Sequence, residues 1–438
     1  MNESAINLEN SVVRKLFWRL LPFLFLLYVV NYLDRINVGF AALQMQKQLG
    51  LSDRVYGIGA GIFFAGYFCF QVPSNLALLR VGARRWIAAI MAVWGVLSCC
   101  MLLVHTAQSF YTLRFLLGAA EAGFFPGIIL YLKQWVPASA RARAVALFMT
   151  ASPVAGVVGS PISGALLGMH QFGIAGWQWM FLIEGFPAVL LAAVVLVTLK
   201  DHPRQASWLL PKERDWLMEL LARENAPDLR NSGITDLRSL LGMSWKLALL
   251  AAIYFGNTSS IYGIVLWLPN FIHSLAGFSN FQIGLVSIVP YFAAAGAMIV
   301  VGVRSDRSGT HRLYLCGTAG CAAASLLAAT HTASLVPALT LLSVALLATY
   351  SMLGPFWATA TSLMHGTVAA AGIAIVNSIG NLGGFYGPYI IGARRTSGEG
   401  FGGGMIVISA LLALACLLSV VVTARQERSS SFAPNPLQ

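Results

Sequence analysis

Phe17-Trp-Arg-Leu-Leu-Pro-Phe-Leu-Phe-Leu-Leu-Tyr-Val-Val-Asn31-Tyr32-Leu33-Asp34-Arg35-Ile36-Asn37-Val-Gly-Phe40 is an apolar run whose second half carries an acid, a base and two amides. It is long enough to cross a bilayer, which takes roughly 20 apolar residues. Such a run must be helical, because lipid offers nothing to backbone N–H and C=O groups. A charge near the bilayer centre costs several kcal/mol, so it persists where it pairs or lines an aqueous cavity. Asn31 and Arg35 are four apart and share a helix face, and Asn31 and Asp34 are three apart. That polar side has to face other helices, so this stretch predicts a bundle.

The rest of the chain supplies one. Eleven further apolar runs lie near 56–79, 86–105, 110–135, 143–168, 178–199, 246–273, 281–303, 312–332, 334–361, 367–393 and 402–424. Charged residues make up only 10% of the chain, against about 25% in soluble proteins, so most of it avoids water. The expected fold is an all-α membrane protein with 12 transmembrane helices in two pseudo-symmetric six-helix bundles. The expected division is 1–199 for the N-terminal bundle, 200–245 for a cytoplasmic linker with a short amphipathic helix around Pro211–Glu224, and 246–438 for the C-terminal bundle and a short tail.

Lys and Arg set the orientation. Alternate connections carry Arg14, Lys15 and Arg19, then Arg80, Arg84 and Arg85, then Lys133, Arg141 and Arg143, then the basic linker, then Arg304, Arg307 and Arg312, and finally Arg425 and Arg428. The opposite connections carry only Lys47, Arg54, Arg394 and Arg395. Both termini are therefore expected in the cytoplasm. This spread of positive charge between apolar runs argues against nucleic-acid binding, despite the net charge of +12.

Two Arg residues, Arg35 and Arg114, and three acids, Asp34, Glu121 and Glu184, fall inside the runs. Arg114 and Glu121 are two helical turns apart, about 10 Å, so each needs a partner from another helix. Asp34, Glu121, Arg35 and Arg114 are expected to meet in one water-accessible chamber between the first and fourth spans. There an Arg can clamp a carboxylate in a bidentate pair, while a neighbouring acid takes a proton. Glu184, beside Gly185 and Pro187, is read as a structural or gating residue, with proton carriage as the alternative. The second half offers uncharged polar residues, Asn257 to Ser260, Tyr262, Trp357, Asn377, Ser378 and Asn381. Asn377 and Asn381 either contact substrate or bond across helices, and Tyr67 is read as lining the cavity.

Several classes are excluded. Cys69, Cys99, Cys100, Cys316, Cys321 and Cys416 form no C-x-x-C pair and read as packing residues. The seven His form no ligand set, no phosphate-binding Gly-Lys loop is present, and no nucleophile or metal constellation suggests an enzyme. No cofactor is expected beyond a proton gradient. No cleavable leader is evident, and the linker and tail offer no output domain for a sensor.

The halves echo each other, with Asn75-Leu-Ala-Leu-Leu-Arg80-Val-Gly82-Ala-Arg84-Arg85 matched by Gly302-Val-Arg304-Ser-Asp306-Arg307-Ser-Gly309-Thr-His311-Arg312. Repeats of this kind suit a transporter with a midplane site, and Arg84, Arg85, Asp306 and Arg307 are read as gating residues of this loop motif. The chain here resembles the major facilitator superfamily. The strings N-Y-L-D-R-I-N-V-G-F-A (31–41), V-P-S-N-L (72–76), V-G-A-R-R-W (81–86), E-A-G-F-F-P-G (121–127) and W-Q-W-M-F-L-I-E-G-F-P (177–187) resemble its anion:cation symporter family, over about residues 12–425. That family imports galactonate, glucarate, tartrate, phthalate and hydroxyphenylacetate, and its animal relatives carry phosphate, sialic acid or glutamate.

The resemblance implies proton coupling at Asp34 and Glu121, and substrate binding at Arg35, Arg114, Tyr67 and Asn377; Tyr32, Trp357 and Asn381 are further candidate substrate contacts read from the spans themselves. Ser152 stands where galactonate-type members carry a glutamine, which argues against galactonate and for tartrate or a related hydroxy acid, or an aromatic acid. The expectation is a monomeric proton symporter of the bacterial inner membrane whose partners are a small organic anion, protons and lipid. A facilitator or proton/drug antiporter of the same fold is the alternative.

Overall fold

The computed structural model describes residues 3–224, 244–364 and 367–430. The linker stretch 225–243, with Arg230 and Arg238, and the tail end 431–438 lie outside them, as do the side chains of Arg425 and Arg428. The described chain is helical throughout. Its first six spans are built from α1 (Glu3–Arg19) with α2 (Leu21–Leu49), α3 (Asp53–Val81), α4 (Ala83–Cys100), α5 (Ala107–Glu121) with α6 (Phe124–Trp135), α7 (Ala138–Met149) with α8 (Ala151–Leu166), and α9 (Gly176–Thr198). The linker holds α10 (Pro211–Glu224), at the position expected from the sequence. The last six spans are α11 (Ser244–Leu275), α12 (Asn280–Ser308), α13 (His311–Ala329), α14 (Leu335–Leu363), α15 (Thr367–Asn381) with α16 (Gly383–Thr396), and α17 (Gly400–Ser430).

Among the described residues, 11 helices are long and apolar enough to cross a membrane. The twelfth run is the pair α15 and α16, of 15 and 14 residues, broken at Leu382 in a glycine-dense stretch. Two other spans break for a proline reason. Pro153 has no N–H for the Met149 carbonyl, the helix stops at Thr150, and the Ser152 hydroxyl donates to that carbonyl at 2.9 Å instead. Pro126 likewise cannot bond Ala122, where α5 ends. The turns are set locally. Ser52 caps α3 by accepting from the Val55 N–H, Ser279 and Gln282 form a capping box on α12, and Gly50 ends α2 with φ +64°, a left-handed conformation that suits glycine.

At the end bearing the termini, α1 is clasped to α10. Lys15 Nζ lies 2.7 Å from Glu213 and Ser11 donates to the same carboxylate. Burial works against the Glu213 charge, but Lys15, the Leu210 N–H and Ser11 outweigh it and hold the carboxyl below its ordinary range.

The two sets of six meet chiefly along α3 with α16, α8 with α12, and α2 with α11. The tightest approaches lie toward the end away from the termini. A Cβ on Gly57 would meet Pro388 O at 2.6 Å, one on Gly61 would meet Phe385 O at 2.7 Å, and one on Gly164 would meet Asn280 O at 2.6 Å. Tyr56 donates to Leu266 O at 2.7 Å, and Arg395 pairs with Asp53 at 3.3 Å. Backbones brought this close by small residues give the van der Waals contact on which helix association in lipid depends, and they seal that end.

The seal yields a comparison on one helix. Gly284 faces Ser160 O, where a Cβ would lie at 2.5 Å, whereas Gly296 has nothing within 4 Å. Gly284→Leu should cost about 1–3 kcal/mol by overpacking and lower the melting temperature of purified protein. Gly296→Leu should leave it near the wild-type value.

Candidate functional site

The polar stretch of α2 sits fully inside the bundle, with Asn31, Asp34, Arg35 and Asn37 all buried. Neighbouring helical residues point about 100° apart, so Asp34 and Arg35 cannot face the same neighbour. Arg35 faces α5. Its Nε donates to Glu121 Oε2 at 2.8 Å, and Asn31 Nδ2 donates to the same oxygen at 2.8 Å. The Arg35 guanidinium also lies over the rings of Phe63 and Tyr67, at 5.3 and 5.2 Å. Glu121 thus draws both donors from the first span.

Asp34 faces the other way, toward α4. Trp94 Nε1 donates to its Oδ2 at 2.9 Å, Ser98 Oγ to its Oδ1 at 2.8 Å, and Asn37 Nδ2 reaches Oδ1 at 3.4 Å. Asp34 is therefore hydrogen-bonded to neutral donors and to neither guanidinium group, while the charges of Glu121 and Arg114 still act on it. Trp94 and Ser98 were not singled out from the sequence. Their four-residue spacing, a polar pair on one face of an apolar helix, was the available signal.

Arg114 is 1% exposed, and its Nη2 donates to Ala60 O at 3.1 Å. Its guanidinium stands over the face of Phe63 at 5.1 Å. Nε and Nη1 have no partner. Both guanidinium carbons are thus within reach of the same ring, no more than about 10 Å apart. Glu121 Oε1, Arg35 Nη2 and Asn31 Oδ1 are also buried without partners. Buried polar groups are normally satisfied, so this cluster is a place for water or a polar ligand.

Aromatic groups from both sets of spans close around it. Tyr32 and Tyr350 touch hydroxyl to hydroxyl at 2.7 Å, and Tyr262 packs on Phe64 at 4.3 Å. Tyr67 is buried beneath Arg35, while Trp357 is half-buried and edge-on to Tyr254 at 5.2 Å. Asn377 and Asn381 are half-buried on α15, and Ser378 between them donates to Gln71 of α3 at 2.8 Å. Phe63 was missed by sequence reading, since a phenylalanine in an apolar run carries no signal. Ser152, 5% exposed, spends its hydroxyl proton on the backbone.

The loop-motif residues stand apart from this cluster. Arg84 donates through Nε to Leu196 O at 3.1 Å, tying α4 to the C-terminal end of α9, and lies 3.5 Å from Asp201. Arg85, Asp306 and Arg307 are exposed near helix ends. Among the described residues no group of His, Cys, Asp and Glu could hold a metal ion.

The sequence model of the Major Facilitator Superfamily matches residues 24–388. A protein of Agrobacterium vitis named for tartrate transport is 46% identical over 423 residues, covering 95% of this chain and 96% of its own. The quinolone resistance transporter of Acinetobacter baumannii is 37% identical over 429 residues, covering 97% of this chain and 98% of its own. In structure, the chain is similar to a bacterial homologue of the human lysosomal transporter Spinster, solved inward-facing and unoccupied. The TM-score is 0.76 at 19% identity, over 95% of this chain and 98% of that one, and at that identity the likeness concerns the fold alone.

The two acids should differ sharply when removed. Glu121→Ala strands the buried Arg35 charge, a change expected to cost about 3–5 kcal/mol. Asp34→Asn keeps a polar group among neutral donors and should cost far less. Thermal unfolding of the purified variants measures the contrast.

Proposed function

The chain belongs to the Major Facilitator Superfamily, and from that premise we propose that it imports a small organic carboxylate, tartrate or a related hydroxy acid, by proton symport. The observation that carries this reading is Arg114: a guanidinium buried between helices, offered one backbone carbonyl and a ring face, with two nitrogens unpartnered. A buried cation with no carboxylate in direct contact is costly, and an anion supplied from outside is what would relieve it. The identity to the tartrate-named relative along nearly the whole chain supports the substrate class.

In the proposed cycle one substrate carboxylate docks on Arg114. The rest of the anion competes with Glu121 for Arg35, across the ring of Phe63. Glu121, losing its cation, takes a proton, and binding is coupled to protonation. Asp34 is the second acid of the cycle. Tyr32, Tyr67, Trp357, Asn377 and Asn381 are assigned to the substrate's hydroxyl and hydrocarbon parts. The two sets of spans then rock about this site. With both termini cytoplasmic, the glycine-lined seal is periplasmic. The expected setting is the bacterial inner membrane. Transport needs no enzymatic step, and the driving force is the proton gradient.

A second reading, drug/proton antiport, is favoured by the quinolone-resistance relative. An exporter of that kind would protect cells, whereas a carboxylate importer would leave quinolone tolerance unchanged.

Tartrate should raise the melting temperature of the purified protein, and Arg114→Gln should abolish the rise. In proteoliposomes a proton gradient should drive tartrate accumulation. Asp34→Asn and Glu121→Gln should each lose accumulation while keeping exchange of internal for external tartrate. Full accumulation in both variants would remove the coupling role, and quinolone protection without tartrate uptake would favour the second reading.

A further inference from the structure

Glu184 is an acid that the cycle above does not use. It sits on α9, 3% exposed, and accepts from Ser163 Oγ at 2.6 Å through Oε1, while Oε2 has no partner. The Asn37 side chain is its other polar neighbour. Asn37 also reaches Asp34, and its own Oδ1 lacks a donor. Two buried carboxyls thus flank one amide, between α2, α4, α8 and α9. The other ionisable groups facing them are Cys99 of α4 and, on α5, Glu121 and Arg114, the last two acting on Asp34. Arg35, the nearest base in sequence, is committed to Glu121.

Arg114 can offset one negative charge, at Asp34, but two cannot both persist so close together away from water. Like charges in one site keep a proton between them. The donors decide which acid keeps it. Asp34 accepts from three side chains, and Glu184 accepts from Ser163 with one oxygen left bare. Hydrogen bonds donated to a carboxylate favour its charged form, so Asp34 is the better anion. A hydrogen on Glu184 Oε2 would turn a bare acceptor into a donor, and Asn37 Oδ1 is a bare acceptor among its neighbours.

We propose that Glu184 and Asp34 form a second acid pair sharing one proton, seated on Glu184 at rest and passed to Asp34 during transport. In the transfer the O–H bond at Glu184 breaks and one forms on Asp34. The pair keeps one proton and one negative charge until Asp34 releases that proton. The transport role rests on the symport reading above; the resting seat of the proton does not.

Infrared spectroscopy of the purified full-length chain at neutral pH tests the seat. The wild type should show a protonated-carboxyl C=O band that Glu184→Gln removes and Asp34→Asn retains. Ser163→Ala, which keeps the acid and removes its donor, should move the band to higher frequency and covers the case in which Glu184→Gln does not fold. No such band in the wild type, or a band indifferent to both Glu184→Gln and Ser163→Ala, overturns the proposal. The second arm is tartrate transport in proteoliposomes. Glu184→Gln should lose gradient-driven accumulation and keep exchange, and wild-type accumulation in this isosteric variant overturns the transfer step. Absence of gradient-driven tartrate uptake in the wild type would instead strike the symport reading, with the infrared result still deciding where the proton sits.

Discussion

The buried ion pair between Arg35 and Glu121 is the constraint that the rest of the architecture serves. It stands 2.8 Å apart on two different spans, with Glu121 fully buried. Neither charge could be inserted alone without a large desolvation cost, so α2 and α5 have to be held against each other with their polar faces inward. Asn31 adds a second donor to Glu121, and Phe63 and Tyr67 supply ring faces to the guanidinium. An aromatic face tolerates a cation in a place where water is scarce. The apolar exteriors of the spans follow from the same logic, since the charges within them are turned inward.

Much of this was legible in the chain because the physics is one-dimensional at first. Spans announce themselves by length and apolarity, and charges inside them announce a chamber. The polar run from Asn31 to Asn37 and the Arg114–Glu121 spacing pointed to cross-helix partners before any geometry was available. What did not follow was the sorting of those partners. Adjacent Asp34 and Arg35 read as a pair in sequence, yet the helix turns them toward different neighbours, α4 and α5. Phe63 is invisible by composition. The break at Leu382 was also beyond reach, because a glycine-rich stretch is compatible with both a continuous and an interrupted helix.

The division of the buried acids has a consequence for how a binding event could be felt. Glu121 is held by a cation, and Asp34 and Glu184 only by neutral donors. A ligand that draws Arg35 away changes the first acid directly and the second pair through space, because Asp34 and Arg35 are consecutive on one helix. On the proposed mechanism, one rigid element, α2, therefore carries both the anion's clamp and the amide that joins the second pair.

The seal at the end away from the termini is built from a different material, and this matters for a site that must open. The ion pair that crosses it, Asp53 with Arg395, is partly exposed, and such pairs contribute about 0–1 kcal/mol. The closure rests instead on backbone approaches at Gly57, Gly61, Gly164 and Gly284. Packing of this sort is lost and regained without stranding a charge in lipid. If the centre carried an unpaired anion, each closure would have to bury it; a centre neutralised by bound substrate and proton would not. The cost of desolvating the site thus rises and falls with its charge, while the seal's packing stays constant. That difference is what would let the occupancy of the centre decide which end of the bundle is shut.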